Sequence, residues 1–239
     1  MRYLAIFLSV LLFGFAVEAA EADMSAAKKL ISAGNETALN SLVGKGFDVN
    51  SRDEEGNTIL YYAMQESAPL GILRILIDNG ADVNAPSAQN GMTPLIIAIS
   101  KAEEIQKQTA LLYEQQGTVN NEEKLKEFIT EQLKYALAAV KLLVEKGADV
   151  NQETPQGTPL MSAAANAWNY DIVDFLLESG ADVNQQDRNG RTALFYASAN
   201  DCNKIITRLM TAGANISIRD FNNMSYMEVN TPDLLKNVN

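Results

Sequence analysis

The chain has 239 residues, 47% of them hydrophobic, with 30 acidic against 19 basic residues and a formal charge of −11. That composition supports a packed core and disfavours binding to nucleic-acid phosphates or anionic lipid, so a basic or neutral protein suits its field better. There is no histidine and one cysteine, Cys202, which excludes an intrachain disulfide, Ser-His-Asp or Cys-His catalysis, and His-containing zinc sites.

Arg2 opens the chain, an uncharged apolar run follows over residues 4–17, and small residues stand at Ala19, Ala20 and Ala22. The pattern reads as a secretory signal peptide over residues 1–22, cleaved after Ala22 or, alternatively, after Ala19. Its roughly 14 apolar residues fall short of the roughly 20 that cross a bilayer as a helix. No cysteine lies nearby for a lipid anchor. The expectation is an exported chain, residues 23–239, without a membrane span, in the periplasm or secondly outside the cell.

From there on the chain repeats itself. Gly46-Phe47-Asp48-Val49-Asn50 recurs as Gly-Ala-Asp-Val-Asn at 80–84, 147–151 and 180–184 and, decayed, as Gly-Ala-Asn-Ile-Ser at 213–217. The glycines are spaced by 34, 67, 33 and 33 residues, so one interval holds an insertion about as long as a repeat. A second motif keeps step: Gly56-Asn57-Thr58-Ile59-Leu60, Gly91-Met92-Thr93-Pro94-Leu95, Gly157-Thr158-Pro159-Leu160 and Gly190-Arg191-Thr192-Ala193-Leu194. Threonine there caps a helix, proline suits its first turn, and the glycines of the first motif end the following helix in a left-handed conformation. Between them lie apolar stripes: Ile72, Leu73, Leu76 and Ile77; Val140, Leu142, Leu143 and Val144; Ile172, Val173, Leu176 and Leu177; Ile205, Ile206, Leu209 and Met210.

The period and both motifs resemble the ankyrin-repeat family. The resemblance implies an all-α solenoid of about five helix-turn-helix units and a terminal half-unit: about 23–50, 51–84, 85–151, 152–184, 185–217 and a cap over 218–239. The first unit carries Lys28 and Lys29 on its leading helix, as a cap should, and Thr231-Pro232-Asp233 restarts a last helix with Leu234 and Leu235. Two departures stand out. The histidine usual after Thr-Pro-Leu is replaced by Tyr61, Ile96, Met161 and Phe195, so apolar packing substitutes for the link it makes between repeats. The fourth unit lacks the residue between Gly157 and Thr158, which shortens its finger-like loop.

The insertion lies over about 100–133. Runs free of helix breakers up to about Gln115 and from Asn121 to Glu145, with a turn at Gln116-Gly117-Thr118 and a cap at Asn120 or Asn121, predict two elongated helices. Ala102, Ile105 and Leu112 are expected to face Leu125, Phe128, Ile129 and Leu133 across this hairpin.

No phosphate-binding glycine loop or dinucleotide fingerprint is present, so no catalytic residue, cofactor or metal is assigned. Asp48, Asp82, Asp149 and Asp182 share one repeat position and read as turn residues. Cys202 reads as a partly buried turn residue. A carboxylate-based hydrolase is the remote alternative. The resemblance implies binding through finger tips and inner helices: Glu54, Asn57, Gln89, Met92, Gln156, Arg188, Arg191 and Phe221 on the fingers, Gln65, Asn166 and Asn200 on the inner helices, and Tyr62, Trp168 and Tyr196 as aromatic area nearby. The expected activity is non-enzymatic: a chain monomeric alone that binds an unknown protein, protecting an envelope enzyme, neutralising a toxin as an immunity protein or, alternatively, acting as a secreted effector.

Overall fold

The computed structural model describes residues 24–116 and 122–229. The expected signal peptide, the turn at Gly117-Thr118 with its cap at Asn120 or Asn121, and the restart at Thr231-Pro232-Asp233 lie outside the described residues. The chain divides after Pro94 into two compact units.

The first unit holds α1 (residues 24–32), α2 (Glu36–Gly44), α3 (Ile59–Gln65) and α4 (Leu70–Asp78). The second holds α5 (Pro94–Gln116, begun by the last residue of the first unit), α6 (Glu122–Glu145), α7 (Pro159–Ala164), a 3-10 turn (Ala167–Asn169), α8 (Tyr170–Glu178), α9 (Ala193–Ala199) and α10 (Asn203–Thr211). Beyond helices, the described residues contain only isolated bridges, such as Arg52 with Thr58 and Arg219 with Ser225, at the necks of loops. The architecture is an all-α repeat array.

Helix starts follow the expected chemistry in part. Thr58 and Thr158 accept the N–H of Tyr61 and Met161, each at 3.3 Å. The Thr158 N–H in turn donates to the Met161 sulfur at 3.4 Å. Thr192 makes no side-chain cap, and its backbone carbonyl accepts the Phe195 N–H at 3.0 Å instead. At the other end, Gly80 takes φ +90°, and the next N–H, of Ala81, reaches back to Leu76 O at 3.0 Å. The same closure recurs after α2, α6, α8 and α10.

Burial of Ile72, Leu73, Leu76 and Ile77 fills the space between α3 and α4, and Val140, Leu142, Leu143, Ile172, Val173, Leu176, Ile205 and Leu209 do the same later. Val144, Leu177 and Ile206 are half-buried and Met210 is exposed, so these four lie at the margin of their stripes. Ile96, Met161 and Phe195 are each 1% exposed, so apolar packing does occupy three of the four sites where a histidine is absent. Cys202 is fully buried rather than partly so, and burial, with Asp201 beside it, raises its thiol pKa.

The link between repeats comes from asparagine. Asn50 Nδ2 donates to Gly80 O at 2.8 Å while its Oδ1 accepts the Asp82 N–H at 2.8 Å. Asn151 makes the same pair with Gly180 and Asp182, and Asn184 with Gly213 and Asn215. Within each motif the aspartate turns the chain: Asp48, Asp82, Asp149 and Asp182 accept the N–H two residues on at 2.8–2.9 Å.

The helices α5 and α6 run to 23 and 24 residues, against 7 and 9 for α3 and α4. Ala102, Ile105 and Leu125 are buried and Ile129 and Leu133 half-buried. Phe128, however, is 46% exposed, as is Leu111 at 54%. Phe128 follows Leu125 by three residues and Ile129 precedes Leu133 by four, so the seam runs along 125, 129 and 133 and leaves Phe128 at its edge. The Leu112 side chain lies outside the described residues. Buried Asn166 and Asn169 tie α5 to the turn of the following repeat, through Gln106 Oε1 at 2.9 Å and Ile99 O at 3.4 Å.

Leu176→Ala is expected to lower the free energy of unfolding by about 2–5 kcal/mol, read by urea titration. Asn184→Ala, which removes both rungs to the next repeat, is expected to lower it by about 1–2 kcal/mol. An Asn184→Ala protein as stable as the parent would show that the ladder is dispensable.

Candidate protein-binding surfaces

Each repeat begins with a finger-like loop, and a side chain at its root sets the loop. Asp53 Oδ1 accepts the N–H groups of Glu55 and Asn57 at 3.1 and 2.8 Å. Asp187 does so for Asn189 and Arg191, at 2.8 and 2.9 Å, and Asp220 for Asn222 and Met224, both at 2.9 Å. In the shortened fourth finger Thr154 takes over, accepting from Gln156 and donating to Gly157 O at 2.8 Å. These braces hold the tips in one conformation before any partner arrives, which lowers the entropy cost of binding. Sequence reasoning missed them, although each aspartate stands five residues before Thr58, Thr192 or Ser225.

In the first unit, α1, the second finger and Tyr62 enclose a groove of about 900 Å³ lined by Lys28, Ser32, Arg52, Asp53, Glu54 and Tyr62 among others. Glu54 is exposed on its rim and Tyr62 half-buried in its wall. Lys28 Nζ lies 2.6 Å from Asp53 Oδ2. Burial pushes the Asp53 carboxyl up, but the Lys28 ammonium and the two loop N–H groups outweigh it and hold the pKa below its ordinary value. Gln89, exposed, donates to Glu55 at 3.1 Å and so joins two successive finger tips, with Met92 half-buried behind it. Gln65 is exposed and donates to the Tyr61 hydroxyl at 3.2 Å.

In the second unit, Arg188 is exposed on its finger, with Nε 3.8 Å from Glu153. Phe221, on the next finger, is 76% exposed. Its N–H donates to Asn189 O at 2.9 Å, and its ring lies against Gly190, where a Cβ would come within 2.7 Å. The half-buried Tyr196 donates to Asp187 Oδ2 at 2.6 Å. Burial and that carboxylate both raise the phenol pKa. Asn200 is exposed, donating to Tyr196 O, Trp168 is half-buried beside Asn166, and Gln156 is half-buried in its finger.

Three expected contact residues are corrected by burial. Arg191 is 7% exposed and pairs through Nε with Asp220 Oδ2 at 3.2 Å, so its charge is spent between fingers. Asn57, 3% exposed, and Asn166, 7% exposed, are likewise interior. Asn166 is consumed by Gln106 and the Trp168 N–H. Of the remaining site residues, Glu54, Gln65, Gln89, Arg188, Asn200 and Phe221 are exposed and Tyr62, Met92, Gln156, Trp168 and Tyr196 half-buried, and they are divided between the two units.

Residues 24–122 and 131–220 match the family model of ankyrin repeats. The chain belongs to the ankyrin-repeat family. Related ankyrin repeat proteins occur in fowlpox virus (strain NVSL), one 39% identical over 57 residues, which is 24% of this chain and 11% of the relative. A second from the same virus is 43% identical over 54 residues, 23% of this chain and 12% of the relative. One from Acanthamoeba polyphaga mimivirus is 27% identical over 141 residues, 57% of this chain and 18% of the relative. The chain thus spans less than a fifth of each of these relatives. Ankyrin repeats are a protein-protein interaction module, typically without enzymatic activity. No helix among the described residues of this ankyrin-repeat chain is long and apolar enough to cross a membrane.

Arg191→Ala strands the Asp220 carboxylate, whose side chain is 0% exposed, and is expected to cost about 3–5 kcal/mol in urea unfolding. Arg191→Ala combined with Asp220→Ala is expected to recover part of that loss. Because the Asp53 pKa is depressed in the folded state, its contribution is present above the unfolded value of 3.8 and is lost as pH falls through the folded value. In Asp53→Asn the difference in unfolding free energy between pH 7 and pH 3 is therefore expected to shrink. An unchanged difference would mean that Asp53 is not held as an ion pair.

Proposed function

We propose that this ankyrin-repeat protein is exported to the bacterial periplasm and binds a partner protein there, protecting it or holding it inactive, as an enzyme protector or an immunity protein does. The observation that carries the binding surface is Phe221. A phenyl ring 76% exposed, yet held by a backbone hydrogen bond and by contact with Gly190, is a rigid aromatic anchor of the sort that dominates interfaces. Arg188, exposed on the preceding finger, adds a charge-assisted donor. Support for export comes from Arg2, the apolar run over residues 4–17 and the small residues at Ala20 and Ala22.

Two measurements test the reading. Mass spectrometry of the protein from its own host is expected to find an N-terminus at Asp23 or Ala20 in the periplasmic fraction. An intact Met1 in a soluble cytosolic protein overturns the localisation, and mature protein in the culture medium of unlysed cells points to a secreted effector instead. For the surface, the mature protein is immobilised and challenged with periplasmic extract, alongside Phe221→Ala and Arg188→Ala. A protein retained by the parent and lost with either variant, by about 2 kcal/mol or about 30-fold in affinity once purified, is the expected outcome. Equal retention by all three overturns the assignment to these fingers.

A further inference from the structure

Tyr62 and Tyr196 occupy one repeat position, four residues after Thr58 and Thr192, and Asp53 and Asp187 occupy another, five residues before. In the later repeat the pair closes on itself, the Tyr196 hydroxyl donating to Asp187 at 2.6 Å. In the earlier one it stands open. The ammonium of Lys28, reaching across from α1, donates to Asp53 Oδ2 at 2.6 Å and lies 5.2 Å from the centre of the Tyr62 ring. The Tyr62 hydroxyl is turned aside to Ser32, 3.1 Å away. A cation therefore sits between a carboxylate and an aromatic face, where the other repeat has a direct hydrogen bond, and the 900 Å³ groove opens onto it.

We propose that this seat recognises a lysine or arginine side chain of a partner protein, and that Lys28 is a resident competitor which the incoming cation displaces. The proposal rests on the reading that the protein binds another protein. The seat is built in advance. The Asp53 side chain is 11% exposed and its other oxygen is fixed by the N–H groups of Glu55 and Asn57, so its charge neither rotates away nor disperses into water. The Tyr62 ring adds the attraction of its face for a cation. Removing the partner of a largely buried carboxylate is costly, whereas exchanging one cation for another keeps Asp53 paired and releases only Lys28, toward water. Lys28, with its side chain 30% exposed, is placed to swing its flexible stem outward into the groove. The rim suits the exchange: Glu54 is exposed, and the Arg52 guanidinium on the same rim is engaged with the carbonyls of Gly56 and Pro86. Lys29 is the remaining exposed cation of the lining, and the net charge of −11 favours approach of a basic segment.

The test needs no partner protein. N-acetyl-lysine methylamide is titrated into the mature protein, Lys28→Ala, and Lys28→Ala combined with Asp53→Asn, with N-acetyl-norleucine methylamide as the uncharged control. Tyr62 ring resonances report occupancy. Vacating the seat in Lys28→Ala is expected to tighten binding of the lysine probe by about tenfold over the parent, leave the norleucine probe unbound, and lose the gain in the double variant. Lys28→Met keeps an apolar stem on α1 and removes the charge, and is expected to tighten the lysine probe as Lys28→Ala does, which separates vacating the seat from loosening of α1. Equal affinity in parent and both Lys28 variants, or equal binding of the two probes, overturns the proposal. That failure would leave the Phe221 surface standing, whereas equal retention by the parent, Phe221→Ala and Arg188→Ala in the capture experiment would leave the seat standing.

Discussion

An asparagine side chain carries an NH2 donor and a carbonyl acceptor on the same planar group, and in this protein that geometry ties one repeat to the next. Asn50, Asn151 and Asn184 each spend the donor on a glycine carbonyl left over at a helix C-terminus and the acceptor on the N–H two residues further on. Both groups would otherwise lack an intrahelical partner. Because one rigid amide meets both, neighbouring exits are locked in register, and with them the glycine-terminated helices that feed each loop. The usual histidine is absent, yet the stacking it helps to fix survives through this polar ladder on one side and through Ile96, Met161 and Phe195 in the core.

On that frame the fingers vary independently. The root side chain is Asp53, Ser87, Thr154, Asp187 or Asp220, and each caps its own loop. An aspartate root has a second oxygen to spare, and the three aspartates spend it differently: on Lys28, on Tyr196 and on Arg191. The first opens a groove, the second pulls an aromatic ring against its finger, and the third fuses two fingers through a buried pair. Buried pairs contribute little net stability but are expensive to break, so these choices fix the shape of the surface more than they strengthen the fold.

The repeat positions were readable because their chemistry is local. A threonine or proline at a helix start, a glycine at its end and a four-residue apolar stripe all act within a few residues, and Leu176, Val173 and Gly180 stand where the pattern puts them. The orientation of finger side chains was not readable on the same terms. Arg188 and Arg191 are three residues apart, and both look like surface cations. Only the presence of Asp220, 29 residues later, draws the second inward. The repeat address of Asn166 places it on the inner surface, but Gln106 belongs to an insertion that other repeats lack, and it takes the amide out of reach. Phe128 shows the converse. Its spacing from Leu125 fits a buried stripe, yet the two-helix seam is too narrow to cover it.

Hydrogen bonding within each helix also lets a repeat array tolerate so long an insertion. Lengthening α5 and α6 adds residues whose backbone groups are satisfied within each helix, so among the described residues the insertion leaves no unpaired edge. The extra length needs only a seam, supplied by Ala102, Ile105, Leu125 and Ala136, and an anchor, supplied by Asn166 and Asn169. Thr109, 9% exposed, keeps its hydroxyl on Ile105 O at 2.7 Å, so even the polar residue in the seam is satisfied within its own helix. An insertion that solves its own hydrogen bonding leaves the ladder elsewhere in the second unit intact, as the unbroken rungs from Asn151 to Asp182 and from Asn184 to Asn215 attest. Backbone satisfaction within the hairpin, rather than a short length, is therefore what lets the fold carry it.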